Sequence, residues 1–404
     1  MEILPPIDRL AGGFQSELAV MNGRVSPHCM LIADDLTGAC DTAVQFARHG
    51  LSSEVWGDLS RAPAWSSHVV AVNTDSRSDE LRTATAKIRH VARVCAGIQP
   101  EILMKKIDST LRGNVGQEIL ATMDSFHRAC AIIAPAYPAM GRTVEHGVLE
   151  MNDGSAPQMI DIRGLLEEQG IPAKSIADHP RTACDLVASL RGIAAGRKFL
   201  IADCSSQADL DELVSLAHDP RHPLLWVGAG GLGLALARQA GKPLTHRAPP
   251  AKDSSVLFWI GSTRATTLEQ RRVLMANSDA LEVAAEPAAL ATARRAIGEK
   301  RHLIVSVERD GGSSDSVAAF LDGLKGLPLA ALVLAGGDTA TQACRTLGTH
   351  SIQLVDEIAP GIPWGFLRGG GFDNLPVATK AGGFGGPDAL LRCASAFTSR
   401  KAMA

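Results

Sequence analysis

Six short runs with apolar centres recur between residues 29 and 230: "CMLIAD", "HVVAVNTD", "EILMKKID", "CAIIAPAYP", "KFLIADC" and "PLLWVGAG". Segments of helical period lie between them, such as Asp79–Ala96 and Asn114–Ser125. A strand buried on both faces reads as a continuous apolar run, and parallel strands need helical crossovers to connect them. The alternation therefore predicts a largely parallel sheet with helices on both faces.

The rhythm breaks at "AGKPLTHRAPPAKDSS", Ala240–Ser255, where prolines and charges replace periodicity, and resumes with "SVLFWIGS", "RHLIVSVE" and "ALVLAGGD". A chain of 404 residues exceeds what one hydrophobic core usually supports. The expected architecture is α/β: two three-layer domains with largely parallel sheets and an active site in the cleft between them. The boundaries read as an N-terminal extension over 1–27, one domain over 28–245, a linker over 246–253 and a second domain over 254–398. The extension reads as a peripheral helix or a loose arm.

Charge and composition narrow the partners. Net charge is −3 and aromatics are 4%, so neither a basic surface nor stacking platforms for nucleic acid are indicated. The apolar runs fall far short of the roughly 20 residues that span a bilayer. The first residues lack a basic segment followed by an apolar one, so a cytoplasmic location is expected. Eight cysteines are scattered without a C-x-x-C pair, and Cys130 and Cys184 sit in apolar runs. They read as reduced core thiols, and Cys40 and Cys204, beside polar loops, read the same way.

In an open parallel sheet, ligands bind beyond the carboxyl ends of the strands. The residues there are Asp34, Asp35, Thr37 and Gly38 after the first run, and Asn73, Asp75, Arg77 and Ser78 after the second. The third run offers Lys105, Lys106, Asp108, Ser109, Thr110 and Arg112; the fourth offers Arg142 and His146. Side chains alternate across a strand, so only one of Lys105 and Lys106 faces the crevice. Asx and Ser after strands cap helices, and Ser78 is placed to cap the next one. Capping does not call for lysines, arginines and carboxylates on one edge. That mixture suits a small, hydroxylated, anionic ligand, with Arg forking its carboxylate and Asp accepting from hydroxyls. His146 reads as a surface or core residue.

Gly228-Ala229-Gly230-Gly231-Leu232-Gly233 is a formal G-x-G-x-x-G between a strand and a helix. A dinucleotide site also wants an acid at the end of the next strand, and "VLFWIGS" has none. The motif reads first as a tight, closely packed turn. In the second half, glycines gather where strands end: Gly261-Ser262-Thr263, Gly336-Gly337-Asp338-Thr339, and Gly382-Gly383-Phe384-Gly385-Gly386 after Lys380. Such loops let backbone amides approach an anion, and three of them would make a phosphate cradle. No Walker A or protein-kinase signature is present.

"IADDLTGACD", "NTDSR", "KKIDSTLRGN", "APAYPAMGR", "GSTRATTLEQ", "LAGGDTA" and "KAGGFGG" occur in the order seen in the four-carbon acid sugar kinase family. From about residue 29 to 398 the chain resembles that family. The resemblance implies ATP-dependent phosphorylation of threonate, erythronate or 3-oxo-tetronate, with Mg²⁺ accompanying ATP. It implies a substrate site at Asp34, Asp35, Arg77, Lys106, Asp108, Ser109, Thr110 and Arg112. It implies a nucleotide site at Ser262, Gly336, Gly337, Asp338, Thr339, Gly382, Gly383, Phe384 and Gly385. The chain departs from the family pattern at Arg264, Ala340 and Gly383, where Ser, Ser and Asn are frequent. The expected catalytic set is Asp35 or Asp108 orienting the attacking hydroxyl and taking its proton, with Lys106 and Arg112 balancing charge. No metal ligands stand out. The expected partners are the sugar acid and ATP, with self-association left open. Two other readings are a hydroxy-acid dehydrogenase using the Gly228–Gly233 turn and a non-catalytic sugar-acid binder.

Overall fold

The computed structural model describes residues 20–21, 24–25, 27–59, 65–152, 158–177, 198–218, 224–307 and 314–399. Before the linker run β1 (Cys29–Ala33), β2 (Ser53–Trp56), β3 (Val69–Asn73), β4 (Ile102–Lys106), β5 (Ala131–Ala134), β6 (Ile176–Ala177), β7 (Phe199–Ile201) and β8 (Leu225–Gly228). After it come β9 (Ser255–Ile260), β10 (Leu281–Ala284), β11 (Leu303–Ser306), β12 (Leu329–Ala335), β13 (Ser351–Ala359), β14 (Ile362–Arg368) and β15 (Pro376–Lys380).

These strands form one fifteen-stranded sheet, in the order β6-β7-β5-β8-β4-β1-β3-β2-β13-β14-β15-β12-β9-β11-β10. The first eight positions are parallel throughout. The last five, β15 to β10, are parallel as well. Between the two blocks, β13 and β14 are antiparallel to their neighbours. The runs expected as two sheets are thus hydrogen-bonded into one, with Gln353 opposite Glu54 at the junction. Three reversals turn the second block against the first. Twist of roughly 20–25° per pair, accumulated over the six steps from β1 to β12, brings the two carboxyl edges back together.

Helix α1 (Leu36–Arg48) occupies the junction and packs on β2, β3 and β13 and on α3 (Gly230–Ala240). That position explains why even its polar residues Asp41, Thr42 and Gln45 are buried. The helical period expected over Asn114–Ser125 is α2 (Val115–Ser125), and that over Asp79–Ala96 is a helix over Leu81–Val94.

Residues 241–251 carry no helix or strand, but they are strapped across the junction. Lys242 N and Leu244 N donate to His49 O and Arg48 O (2.9 and 2.8 Å), and Arg247 N donates to Asp356 Oδ2 (2.6 Å). Of the N-terminal extension, Val20–Met21 and Arg24–Val25 pair as short antiparallel strands rather than a helix, and residues 1–19 lie outside the described residues. The seven described cysteines are buried and unpaired, Cys40 and Cys204 among them, and Cys184 lies outside the described residues. Among the described residues no helix is long and apolar enough to cross a membrane.

Candidate functional site

The two acids that end β1 diverge, yet one guanidinium joins them. Asp35 caps α1: its Oδ1 accepts from Gly38 N (3.1 Å) and its Oδ2 from the Thr37 hydroxyl (2.7 Å). Arg77, from the loop after β3, forks Asp34 (2.8 and 2.9 Å) and reaches Asp35 Oδ1 at 2.6 Å. Burial works to raise the Asp34 pKa, but Arg77, with Lys105 and Lys106 behind it, holds the carboxyl below its ordinary value. Gly38 is required by this crowding, since a Cβ there would lie 2.4 Å from Asp35 Oδ1 and 2.8 Å from Lys106 Nζ.

The lysines at the end of β4 part as strand geometry requires. Lys105 turns away into a wholly buried pair with Glu118 of α2 (2.7 Å). Lys106 turns to the cleft and donates to Ile107 O (2.8 Å). Beyond it, Arg112 forks Asp108 (2.6 and 3.0 Å), the Thr110 hydroxyl donates to the same carboxylate, and Arg77 stands 3.6 Å away. Burial opposes ionisation of Asp108, but these donors hold it well below the usual carboxylate range.

Asp41, one turn into α1, has the opposite environment. The Tyr137 hydroxyl donates to it (3.1 Å), and among the described residues no cation forms a salt bridge with it. Burial above all, then Glu357, pushes its pKa up to about 7, against the pull of Lys106 and of the Tyr137 bond. The folded state therefore holds a proton that the unfolded chain, with an aspartate pKa of about 3.9, gives up; stability falls as pH rises from about 4 to 7. Asp41→Asn should be the more stable protein above pH 7, by on the order of a few kcal/mol. The gap should close towards pH 4. Thermal melts across that range check this, and a gap independent of pH would remove Asp41 as its source.

On the second block, Gly336 precedes α5 (Gly337–Leu347) with φ +112°, a conformation open to glycine, and its N–H donates to Lys380 O (3.0 Å). Ser262 Oγ lies 3.2 Å from the Thr267 hydroxyl oxygen, Thr267 lying on α4 (Ala265–Ala276). Gln270 of α4 donates to the carbonyls of Phe384, Gly385 and Gly386 (3.0, 2.9 and 2.9 Å).

The two edges face each other across a cleft of ≈ 480 Å³. A Cβ on Gly337 would lie 2.8 Å from Asp35 Oδ2, so the capped acid of one block abuts the helix start of the other. Asp35, Arg77, Lys106, Asp108, Ser109, Thr110 and Arg112 line the cleft, as do Ser262, Gly336, Gly337, Asp338, Thr339, Gly382, Gly383 and Phe384. Asp34 does not; it backs Arg77. Gly385 does not either, its carbonyl being turned to Gln270. Asn73 and Asp75 contact α5 instead, through Thr341 (3.2 Å) and Arg345 (3.1 Å). Ser78 lines the cleft rather than capping the next helix, whose N-cap is Glu80 without a side-chain bond. Arg142 lines the cleft and His146 sits outside it on an exposed turn.

The Gly228–Gly233 turn is closely packed. A Cβ would lie 2.3 Å from Ala134 O at Gly228, 2.6 Å from Ala136 O at Gly231 and 2.4 Å from Thr42 at Gly233. Asp41, Tyr137, Ala229, Gly230, Thr263 and Arg264 also line the cleft. Sequence reasoning gave Asp41 and Tyr137 no role, although both lie within motifs that ended on this edge.

A family model described as a sugar-binding N-terminal domain matches residues 29–236, and one described as a nucleotide-binding C-terminal domain matches residues 305–390. The D-threonate kinase of Bordetella bronchiseptica is 34% identical over 407 residues, spanning 93% of this chain and 98% of that one. The D-erythronate kinase of Heliobacterium modesticaldum is 27% identical, spanning 90% and 95%. The crystal structure of a Haemophilus influenzae protein shares the fold, with a TM-score of 0.68 at 20% identity over 91% of this chain and 100% of that one. By the matched models and an identity that runs through both halves, the chain belongs to the four-carbon acid sugar kinase family.

Proposed function

We propose that this chain transfers the γ-phosphoryl group of ATP to a hydroxyl of a four-carbon sugar acid of the threonate, erythronate or 3-oxo-tetronate type. The observation that carries the reading is the facing of two unlike edges. A site of cations buttressed by carboxylates looks across the cleft at three glycine-rich loops, with Asp35 abutting the start of α5. Residues 28–245 then form the acid-binding part, 246–253 the linker and 254–398 the nucleotide-binding part, with 1–27 an extension.

Phosphoryl transfer needs in-line placement and neutralised charge more than covalent chemistry. Arg112, half exposed, and Lys106 supply the cationic surface for the acid's carboxylate and for the transferring group. Asp35 orients the attacking hydroxyl. Asp108, with its carboxyl held low by Arg112 and Arg77, is a poor proton acceptor at neutral pH and serves to fix those guanidinium groups. Ser262, the Gly336–Thr339 turn and the Gly382–Gly385 loop receive the nucleotide. Among the described residues no three His, Cys, Asp or Glu side chains converge on a metal site. A Mg²⁺ ion arriving with ATP would be carried mainly by phosphate oxygens and water, with Asp338 the carboxylate on the nucleotide side.

The packed Gly228–Gly233 turn gives no support to a dehydrogenase, and nicotinamide fluorescence titration should show no binding. A coupled ADP-release screen over the stereoisomeric four-carbon acids and their 3-oxo forms should show turnover with at least one. Turnover with none, alongside tight binding of one acid, would favour the non-catalytic binder.

A further inference from the structure

Among the described residues two lysines are wholly buried, and they are held in opposite ways. Lys105 has Glu118 at 2.7 Å. Lys380, at the end of β15, has no carboxylate in a salt bridge among the described residues; its ammonium is held by neutral oxygens alone. It donates to the carbonyls of Ala381 (2.9 Å), Phe384 (3.2 Å) and Gly382 (3.4 Å) and to the Thr267 hydroxyl (3.3 Å). Thr267 also donates to Gly382 O (2.8 Å), and the Gln270 amide lies within 3.0 Å of the carbonyls of Phe384, Gly385 and Gly386, sharing the first with Lys380.

The direction of these bonds matters. In a planar trans peptide the N–H points away from the C=O. Carbonyls drawn inward at 381, 382, 384 and 385 therefore turn the N–H groups of Gly382, Gly383, Gly385 and Gly386 outward, and Gly382 and Gly383 line the cleft. A run of outward amides is an anion-binding concavity. A buried cation without a counter-charge is costly, and a nearby anion relieves it.

We propose that Lys380 is the positioning residue of the nucleotide site: it holds the Gly382–Gly386 loop with the Gly382 and Gly383 amides facing the phosphates, and the phosphates complete its unbalanced charge. This rests on the reading that ATP binds the second block.

Burial pushes the Lys380 pKa down to about 8. The titratable side chain that acts on it is Cys393, from α6 (Ala389–Phe397), whose own pKa burial pushes up to about 12, leaving a neutral thiol at working pH. The other groups around the ammonium, Thr267 and Gln270 of α4 and the loop carbonyls, do not titrate. An arriving phosphate favours the charged lysine, so binding should draw a proton from solvent when pH exceeds the resting pKa.

Calorimetric titration of the full chain with MgATP, in buffers of different ionisation enthalpy, reads that proton directly. Wild type should take up roughly half a proton or more per nucleotide at pH 8.5 and little at pH 7. Lys380→Met should bind MgATP at least about tenfold more weakly and take up none at pH 8.5. Wild-type binding without uptake at pH 8.5 overturns the role of Lys380 alone, as does a Lys380→Met protein with unchanged affinity. No binding of MgATP to wild type overturns the nucleotide-site reading and this proposal with it. The wild-type arm stands even where the methionine variant fails to fold.

Discussion

Replacing Asp35 by Asn should lower kcat for phosphoryl transfer by roughly 10²–10⁴ while leaving the ATP Kd within a few-fold. The substitution is chosen because it spares the fold. Asn is as good an N-cap as Asp, and its carbonyl oxygen can take the bond from Gly38 N that now measures 3.1 Å. Arg77 keeps its fork to Asp34, so the loop after β3 stays anchored. What disappears is the negative charge where the acid of one block meets the α5 start of the other, together with the ability to accept from a hydroxyl at both oxygens. The variant should melt close to wild type and bind MgATP normally. A fully active Asp35→Asn enzyme would remove Asp35 from the reaction and return attention to the remaining cleft carboxylates.

Most of what faces this cleft was legible because it follows from local rules. Period-2 alternation sends one of two adjacent lysines to the ligand side, and the structure selects Lys106, with Lys105 paired to Glu118. Clusters after β1, β3 and β4 fall on one edge because parallel strands end together. Two things were not legible, for one reason. The junction through β2, β13 and β14 depends on which strand pairs with which, and "SSEVW" opposite "SIQL" carries no local sign of its partner. Asp41 reads as an ordinary polar residue of an amphipathic helix. Only the packing of α1 against β13 and α3 buries it, beside Tyr137 and within the influence of Glu357. Ser78 was misplaced for a separate, local reason: the turn takes two more residues than capping allows, and the helix starts after Glu80.

Gly336→Val should raise the ATP Kd by at least about tenfold with a much smaller effect on binding of the sugar acid. The cause is backbone strain rather than lack of room. A Cβ at Gly336 would sit 3.5 Å from Ser262 N and from Thr339 Oγ1, ordinary contact distances. The conformation, φ +112° and ψ 135°, is the obstacle, since a β-branched L-residue is strained there by about 1–3 kcal/mol. The turn cannot relax freely. Gly336 N is bonded to Lys380 O at 3.0 Å, and its carbonyl accepts the first bond of α5 from Ala340 N at 2.9 Å. Relief of the strain must break one of these, and each loss moves the amides of Gly337, Asp338 and Thr339 that face the cleft. The damage is therefore directed at the nucleotide side, while Arg77, Lys106 and Arg112 across the cleft keep their partners. Titration with MgATP and with the acid that the ADP-release screen selects separates the two effects. An unchanged ATP Kd in Gly336→Val would move the nucleotide site off this turn.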